Sequence, residues 1–474
     1  PDETAGPLTS IAGEPGVPVY DVAIIGGGPG GYAAALYAHN FGLSVALIEK
    51  DLVGGVCLHR GCVPTKAWLE TAARFVAVSG AGEFGVIASA PSLDWAKARE
   101  RKGAVVDRLH RGLTGLLRRR GVEVIAGTGR LDLRGGAMVA GAEGERRVEA
   151  RTVILATGAV PRSIPGYEFD GRQIVSSDHA LEWGQRPERV AIIGAGAIGC
   201  EFASFLSDLG SRVYLFEVME QILPGMEPEA AKVLHRELAK RGVEIHTGTG
   251  VDPARSTPEG VVVPFGDASV TVDVVLVAVG RAPVVSGIGI EGTRIEVERG
   301  YVKVDPGTQQ TGEPGVYAVG DIVAGTPQLA HAGFAEGIAA ITHIATGRAA
   351  PVEYRAVPAV VYTRPEVAAV GLTEERARAA GYDVSTVAHG VEGVARALIR
   401  GGNRGTVKVV AEAGGPILGA TVVGPEAGEL IHGLMLAVGW EALPAEAAAF
   451  IHGHPTLAEA VGEALLAAAG RSLH

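Results

Sequence analysis

Apolar runs of strand length, several of them closing on glycine, recur along the chain and give it its pattern. Tyr20 to Ile25 is such a run. It is followed by Gly26, Gly28 and Gly31, a helical stretch to about His39, and a second apolar run, Val45 to Ile48, ending at Glu49. Strand, glycine turn, helix and acid in this order form a dinucleotide-binding unit: the helix N-terminus takes a pyrophosphate and the acid takes a ribose hydroxyl. A glycine-rich turn made for packing alone is the plainer reading of the GxGxxG, and the elements around it argue against that. The pattern then repeats. VAIIG at Val22–Gly26 returns at Val190–Gly194, opening Gly194, Gly196 and Gly199, and in both copies an acid, Glu49 or Glu217, stands 23 residues after the first glycine. Two such units in one chain predict two dinucleotide sites. No Arg or Lys lies between Val218 and Gly225 to receive a 2′-phosphate, so the second site favours NAD over NADP.

Between the units, Asp94 to Arg120 has helical spacing with basic residues along it, read as a solvated face. Strands are predicted at Val122–Ile125 and at Val153–Leu155, the latter running into Thr157 and Gly158 as a crossing between domains. Val274–Val279 ends at Gly280 and marks the exit from the second unit. Gly315–Asp321 reads as a strand ending in a glycine and an acid, and a helix follows from about Leu329 to Thr346. From about Pro358 the chain becomes an α+β region. Strands are expected there at Val360–Tyr362, Thr406–Ala411 and Leu418–Val423, with helices at Thr373–Ala380 and Glu426–Val438.

Composition narrows the class. A chain of 474 residues holds two to four domains, and 69 glycines with 5% aromatics suit an α/β protein with many close backbone approaches. The formal charge of −11 argues against a nucleic-acid surface. No apolar stretch of about 18 residues is present to span a membrane. Three cysteines make no secreted disulfide scaffold, so a cytoplasmic location is expected. Residues 1–19, with no Arg or Lys and several prolines and glycines, are read as a flexible tail.

The chemistry centres on GGVCLHRGCVPTK, Gly54 to Lys66, which sets Cys57 and Cys62 five residues apart. A bond between them would close a ring too small to add much stability, and Cα geometry demands a bent first turn, which Gly61 permits. From spacing alone the pair is a redox disulfide, two unpaired core thiols, or half of a zinc site. The zinc reading is weak because the remaining cysteine, Cys200, is distant and reads as core. Near the end, a helix starting at Pro455 or Thr456 would lay Glu459 back towards His454, an imidazole oriented by a carboxylate as a general base requires. A surface histidine beside a helix start is the bland alternative.

These residues, with GAGAIGCEFAS, GVYAVGD followed by LAH, VYTRPEVAAVGLTE, GATVVGPEAGELI and HGHPTLAEA, resemble the flavin-dependent pyridine nucleotide-disulfide oxidoreductases from about Tyr20 to the end. Within that family the likeness is to the members that oxidise dihydrolipoamide. The resemblance implies an α/β fold with two Rossmann-like dinucleotide-binding domains and a C-terminal α+β dimerisation domain. The divisions expected are 20–157 for FAD, 158–280 for NAD, 281–352 as the second FAD or central part, and 353–474 as the interface.

On the same resemblance, FAD lies on Gly26, Gly28, Gly31, Glu49, Lys66, Gly129, Thr157, Gly158, Asp321 and Ala330. NAD lies on Gly194, Gly196, Gly199, Glu217 and Gly280. Glu201 pairs with Lys66 beside the flavin, Cys57 exchanges with substrate, Cys62 contacts the flavin, and His454 with Glu459 is the base supplied by the other subunit of a homodimer. No metal is implied. The partners implied are lipoyl domains of a 2-oxo acid dehydrogenase or glycine cleavage complex, with no nucleic acid and no membrane. Glutathione reductase is the nearest rival but typically uses NADP. A non-catalytic component of a multienzyme assembly is a second alternative, which the intact set of Cys57, Cys62, His454 and Glu459 argues against. His59 and Arg60 depart from the family's pattern, leaving Arg60 either to act on the cysteine pair or to face solvent.

Overall fold

The structure is a computed structural model that describes residues 19–402 and 404–473. The expected flexible tail lies outside the described residues except for Val19, which already belongs to the first strand. Among the described residues two units form: 19–64, 101–160 and 281–354 make one, and 65–100, 161–280, 355–402 and 404–473 the other.

In the first unit, β1 (Val19–Ile25), β2 (Val45–Glu49), β3 (Glu123–Ala126) and the C-terminal half of β6 (Gly144–Leu155) are parallel, in the order β3-β2-β1-β6. The buried runs of β1, β2 and β6 are rich in Val, Ile and Leu because both faces of the sheet are covered there, while β3 at the edge buries only Ile125. Val316–Ala318 adds a further parallel strand beside β6, so a segment far along the chain completes this sheet. The N-terminal half of β6 pairs antiparallel with β5 (Ala137–Gly141), which pairs with β4 (Thr128–Leu131). On one face, α1 (Pro29–Ala38) packs on the helix Ala330–Thr346. The approach is close because Gly337 has no Cβ, which would stand 2.5 Å from the Gly30 carbonyl oxygen.

The second unit repeats the arrangement. Glu244–His246, Arg212–Phe216, Arg189–Ile193 and Val274–Val277 form a parallel sheet in that order, with Ile174–Val175 on the far edge. The registers match those of the first sheet: Val22 faces Val45 and Ile24 faces Leu47, as Val190 faces Val213 and Ile192 faces Leu215. Beyond Pro358 a five-stranded antiparallel sheet forms. Its order is Ala359–Val361, Glu366–Gly371, Ile417–Gly424, Thr406–Glu412 and Val384–Gly390, and the helices Ala427–Gly439 and Glu459–Ala468 contribute to its core. The strands Glu366–Gly371 and Val384–Gly390 are additions to those expected from sequence.

Two devices hold the second unit. Trp68, on α3 (Cys62–Ser79), is buried and stacks on Trp95 of α4 (Trp95–Arg119) at 4.1 Å between centroids, within the core that includes Phe202, Phe205 and Leu215. Lys408, on a strand of the antiparallel sheet, is also buried. Its ammonium meets Glu227 at 2.8 Å, Glu374 at 2.9 Å and Glu229 at 3.2 Å. Glu227 in turn accepts the Glu374 N–H at 2.7 Å, so the cluster is hydrogen-bonded rather than merely neutralised.

Both nucleotide units rest on one contact. A Cβ on Gly31 would stand 1.9 Å from the Gly26 carbonyl oxygen, and one on Gly199 would stand 1.9 Å from that of Gly194. Replacing Gly199 by Ala must therefore push the helix Ala197–Asp208 off its strand. A loss of about 3 kcal/mol is expected, read as a lowered unfolding midpoint in chemical denaturation; an unchanged midpoint would show that the contact does not set the packing.

Candidate functional site

The three glycines of each unit have separate tasks. Gly26 and Gly194 take φ of +110° and +98°, and side chains there would also strike the Ala156 and Ala278 carbonyls. Gly31 and Gly199 allow the close helix contact. The middle glycines differ: a Cβ on Gly196 meets nothing within 4 Å, and one on Gly28 meets only the Gly55 Cα at 4.0 Å. The open space lies at the N-cap of α1 and of the helix Ala197–Asp208, where unpaired backbone N–H groups attract phosphate. A dinucleotide's pyrophosphate fits both cradles.

The acids are pinned in the same way in each copy. Glu49 accepts the Gly27 N–H at 2.6 Å and the Asp51 N–H at 2.8 Å; Glu217 accepts the Ala195 N–H at 2.8 Å and the Met219 N–H at 2.9 Å. Each carboxylate is thus held at the tip of its second strand, with lone pairs left for ribose hydroxyls. Beside Glu217, Val218 and Met219 are exposed and apolar, a surface that offers nothing to a 2′-phosphate.

The remaining cofactor candidates fall in several places. Thr157 Oγ1 donates to the Val284 carbonyl at 2.7 Å, and Gly158 and Gly280, both at positive φ, border open space. Asp321 follows the strand Val316–Ala318 and the turn at Gly320; burial pushes its carboxyl up, with Arg281 opposing. Ala330 is the first residue of its helix. Gly129 is different in kind. It is buried in β4, where a Cβ would meet Ile48 at 2.9 Å and Ile25 at 3.0 Å, so the role visible for it is packing.

The segment with the two cysteines is seated on the first glycine turn. Gly54 donates its N–H to the Gly27 carbonyl at 2.7 Å, and Gly55 lies so near Gly28 that a Cβ on it would come within 2.6 Å of the Gly28 Cα. From there α2 (Gly55–Arg60) runs to Gly61, whose φ of −144° and ψ of −111° break the helix before α3 starts at Cys62. The expected bent turn is therefore a break between two helices. Cys57 is half-buried and Cys62 exposed.

Further contacts surround the segment. Tyr32, one turn into α1, escaped the sequence reading; burial, with the Cys57 and Cys62 sulfurs adding, pushes its phenol up to about 12. Arg60 pairs at 2.6 Å with Asp51, both half-exposed, which directs its charge to the surface. His59 Nε2 and His110 Nδ1 both meet the Val53 carbonyl, at 2.9 and 3.1 Å, so each donates an N–H there and α4 is tied to the segment.

Two further pairs form within the second unit. Lys66 Nζ donates to both Glu201 oxygens at 2.8 Å and lies 4.6 Å from the centroid of the Tyr362 ring, while the Tyr362 N–H donates to Glu201 at 3.0 Å. Glu201 is buried. His454 Nδ1 donates to Glu459 Oε1 at 2.8 Å, and Glu459 Oε2 accepts the Thr456 N–H at 2.9 Å. The hydrogen bond from His454, then that from Thr456, holds the Glu459 carboxyl below its usual range. The helix begins at Glu459 itself rather than at Pro455 or Thr456, yet the carboxylate still reaches back. The His454 ring is exposed, leaving Nε2 outward. Cys200 is fully buried, donates to the Ala195 carbonyl at 3.2 Å, and has its thiol pushed up by burial. No cluster of three or more metal-ligating side chains occurs among the described residues.

Two cradles for dinucleotides and a CxxxxC segment lying on one of them define a disulfide-handling nucleotide enzyme. Residues 20–337 match the pyridine nucleotide-disulphide oxidoreductase family and residues 357–465 its dimerisation domain; the chain belongs to this family. It is an oxidoreductase with FAD and NAD as cofactors. Among its relatives, a dihydrolipoyl dehydrogenase of Bacillus subtilis is 39% identical over 471 residues, covering 96% of this chain and 99% of that protein. One from Thermus scotoductus is 40% identical, covering 96% and 98%. Of solved structures, LpdA from Mycobacterium tuberculosis superposes with a TM-score of 0.87 at 30% identity over 94% of this chain and 99% of that one. The HOCl-induced flavoprotein disulfide reductase RclA from Escherichia coli gives 0.83 at 25%, covering 94% and 99%. No helix among the described residues is long and apolar enough to cross a membrane.

The glycine assignments separate binding from folding. Gly196→Ala keeps an allowed backbone and meets no neighbour, so its unfolding midpoint should match that of the parent protein. Its affinity for NAD should fall by about tenfold, the cost of roughly one displaced phosphate contact; calorimetric titration with NAD⁺ measures it.

Proposed function

We propose that the protein oxidises protein-bound dihydrolipoamide to lipoamide and reduces NAD⁺, through Cys57, Cys62 and FAD. The observation that supports this most is the seating of the cysteine segment on the first glycine turn, through Gly54 to Gly27 and Gly55 against Gly28. A thiol pair so placed adjoins whatever lies in that cradle. FAD bound there would supply the two-electron chemistry that links the dithiol to NAD⁺.

The protein's own residues then act as follows. His454, with Nδ1–H held by Glu459, has Nε2 available to take a proton from a substrate thiol. The resulting thiolate attacks the Cys57 sulfur of the Cys57–Cys62 disulfide; a substrate–Cys57 bond forms, and Cys62 leaves as a thiolate. The second substrate thiol attacks the mixed disulfide and closes lipoamide, its proton passing to the Cys57 sulfur as that sulfur departs, while His454 keeps the first proton. Two electrons now reside on the cysteine pair. Lys66, held by Glu201 on the face of Tyr362, would offer a positive charge to a bound flavin. Glu217 orients the NAD ribose.

The match to the family's dimerisation domain supports a homodimer, and in our reading His454 serves the cysteine pair of the second copy. The lipoyl group comes from a 2-oxo acid dehydrogenase or glycine cleavage complex in the cytoplasm. We assign the FAD domain to residues 20–157 and 281–352, the NAD domain to 158–280 and the interface to 353–474.

Steady-state turnover with dihydrolipoamide and NAD⁺, beside glutathione disulfide with NADPH, tests the reading. Only the first pair should be turned over; activity with glutathione disulfide alone would sink the substrate assignment. Cys57→Ser should abolish dihydrolipoamide oxidation while leaving FAD bound. His454→Ala should lower kcat by about 10²- to 10⁴-fold, the usual contribution of a positioned acid–base group.

A further inference from the structure

Glu336, in the second turn of the helix Ala330–Thr346, is wholly buried and is not used by the mechanism above. One carboxylate oxygen accepts the Gly320 N–H at 2.5 Å. The other accepts the Tyr354 hydroxyl at 3.0 Å, and Tyr354 is itself met by the amide of Gln309, a second fully buried polar residue, at 3.4 Å. Gly320 is the positive-φ turn that presents Asp321. A buried carboxylate costs free energy unless it is fully bonded, so its retention here, on a backbone N–H, calls for a reason.

We propose that Glu336 is a positioning residue of the flavin site, which fixes the Gly320–Asp321 turn and makes flavin retention depend on its own protonation. The proposal rests on the reading that FAD lies along Asp321. The geometry gives the first half: with the Gly320 N–H tied to the helix, Asp321 is delivered at one angle. The second half follows from what faces Glu336. The charged group across from it is Asp321 and the phenol is that of Tyr354; α1, packed on the same helix, has no charged side chain. Burial, with Asp321 adding, raises the Glu336 carboxyl to about 7, against the pull of the bonds from Gly320, Tyr354 and Thr326. Arg281 acts on Asp321 rather than on Glu336.

The sign follows from linkage. A carboxyl raised in the folded state contributes stability that is lost as pH climbs from the unfolded to the folded value. Flavin bound along the Asp321 turn would exclude water there and add negative charge, and so would favour the protonated form of Glu336 further. By reciprocity FAD binds that form more tightly.

The test is the rate of FAD release from the purified holoprotein, followed by flavin fluorescence from about pH 5.5 to about pH 8.5, a window that brackets the carboxyl. Release should quicken through a one-proton step near neutrality, by about tenfold for each unit by which flavin raises the Glu336 pKa. Glu336→Gln, always neutral and still able to accept from Gly320, should release slowly at every pH with no step. Glu336→Ala should release fast throughout. Tyr354→Phe should keep the step but move it to higher pH, because the ionised carboxylate loses a donor. A step that persists in Glu336→Gln, or slow release from Glu336→Ala, overturns the proposal. None of these readings uses turnover: intact dihydrolipoamide oxidation with an unchanged step in Glu336→Gln would refute only this inference. A normal step with no dihydrolipoamide oxidation would refute only the function.

Discussion

The absence of one carbon atom, twice, is the constraint on which the site depends. Where Gly31 and Gly199 cross the carbonyls of Gly26 and Gly194, helix and strand touch backbone to backbone, and no other residue fits the space. That contact sets the helix N-terminus over the turn. It leaves the middle glycine facing open space and puts the N–H that follows the first glycine, that of Gly27 or Ala195, within reach of the acid on the neighbouring strand. In the first unit it does more, because the segment carrying Cys57 leans on Gly28 through Gly55. The cysteine segment is thereby placed by the same packing that forms the first glycine turn.

Much of this was legible in the sequence because it is local. The doubled VAIIG, the glycine spacing and the acids at Glu49 and Glu217 are short patterns whose geometry follows from backbone sterics. What the sequence hid were relations across long separations. Lys66 and Glu201 were paired only through resemblance. Tyr32 reads as one more aromatic on an apolar helix, and nothing in its surroundings along the chain marks it as the neighbour of two sulfurs. Arg60 could be assigned to Asp51 only once the loop closed on itself. Glu336 sits among alanines and glycines as an ordinary helix residue would, and its burial became visible only when the turn at Gly320 folded over it.

Element ends show the same division. The helix predicted from Pro455 begins at Glu459 because Thr456 spends its N–H on the Glu459 carboxylate, a side-chain bond that competes with the first helical turn. The strands Glu366–Gly371 and Val384–Gly390 pass unnoticed because alanine, glycine, serine and histidine dilute their apolar alternation. Their strand character comes from their partners in the sheet.

The Lys408 cluster has a consequence for heat. An ammonium bonded to three carboxylates joins a strand of the antiparallel sheet to the start of the helix Pro228–Lys240 and to the helix Glu374–Ala379. Stripping water from those charges opposes the junction most at low temperature, because hydration of ions weakens as temperature rises. The hydrophobic cores on either side gain little over the same range. The junction therefore carries a growing share of the cohesion on warming, and cold rather than heat is the condition under which it contributes least.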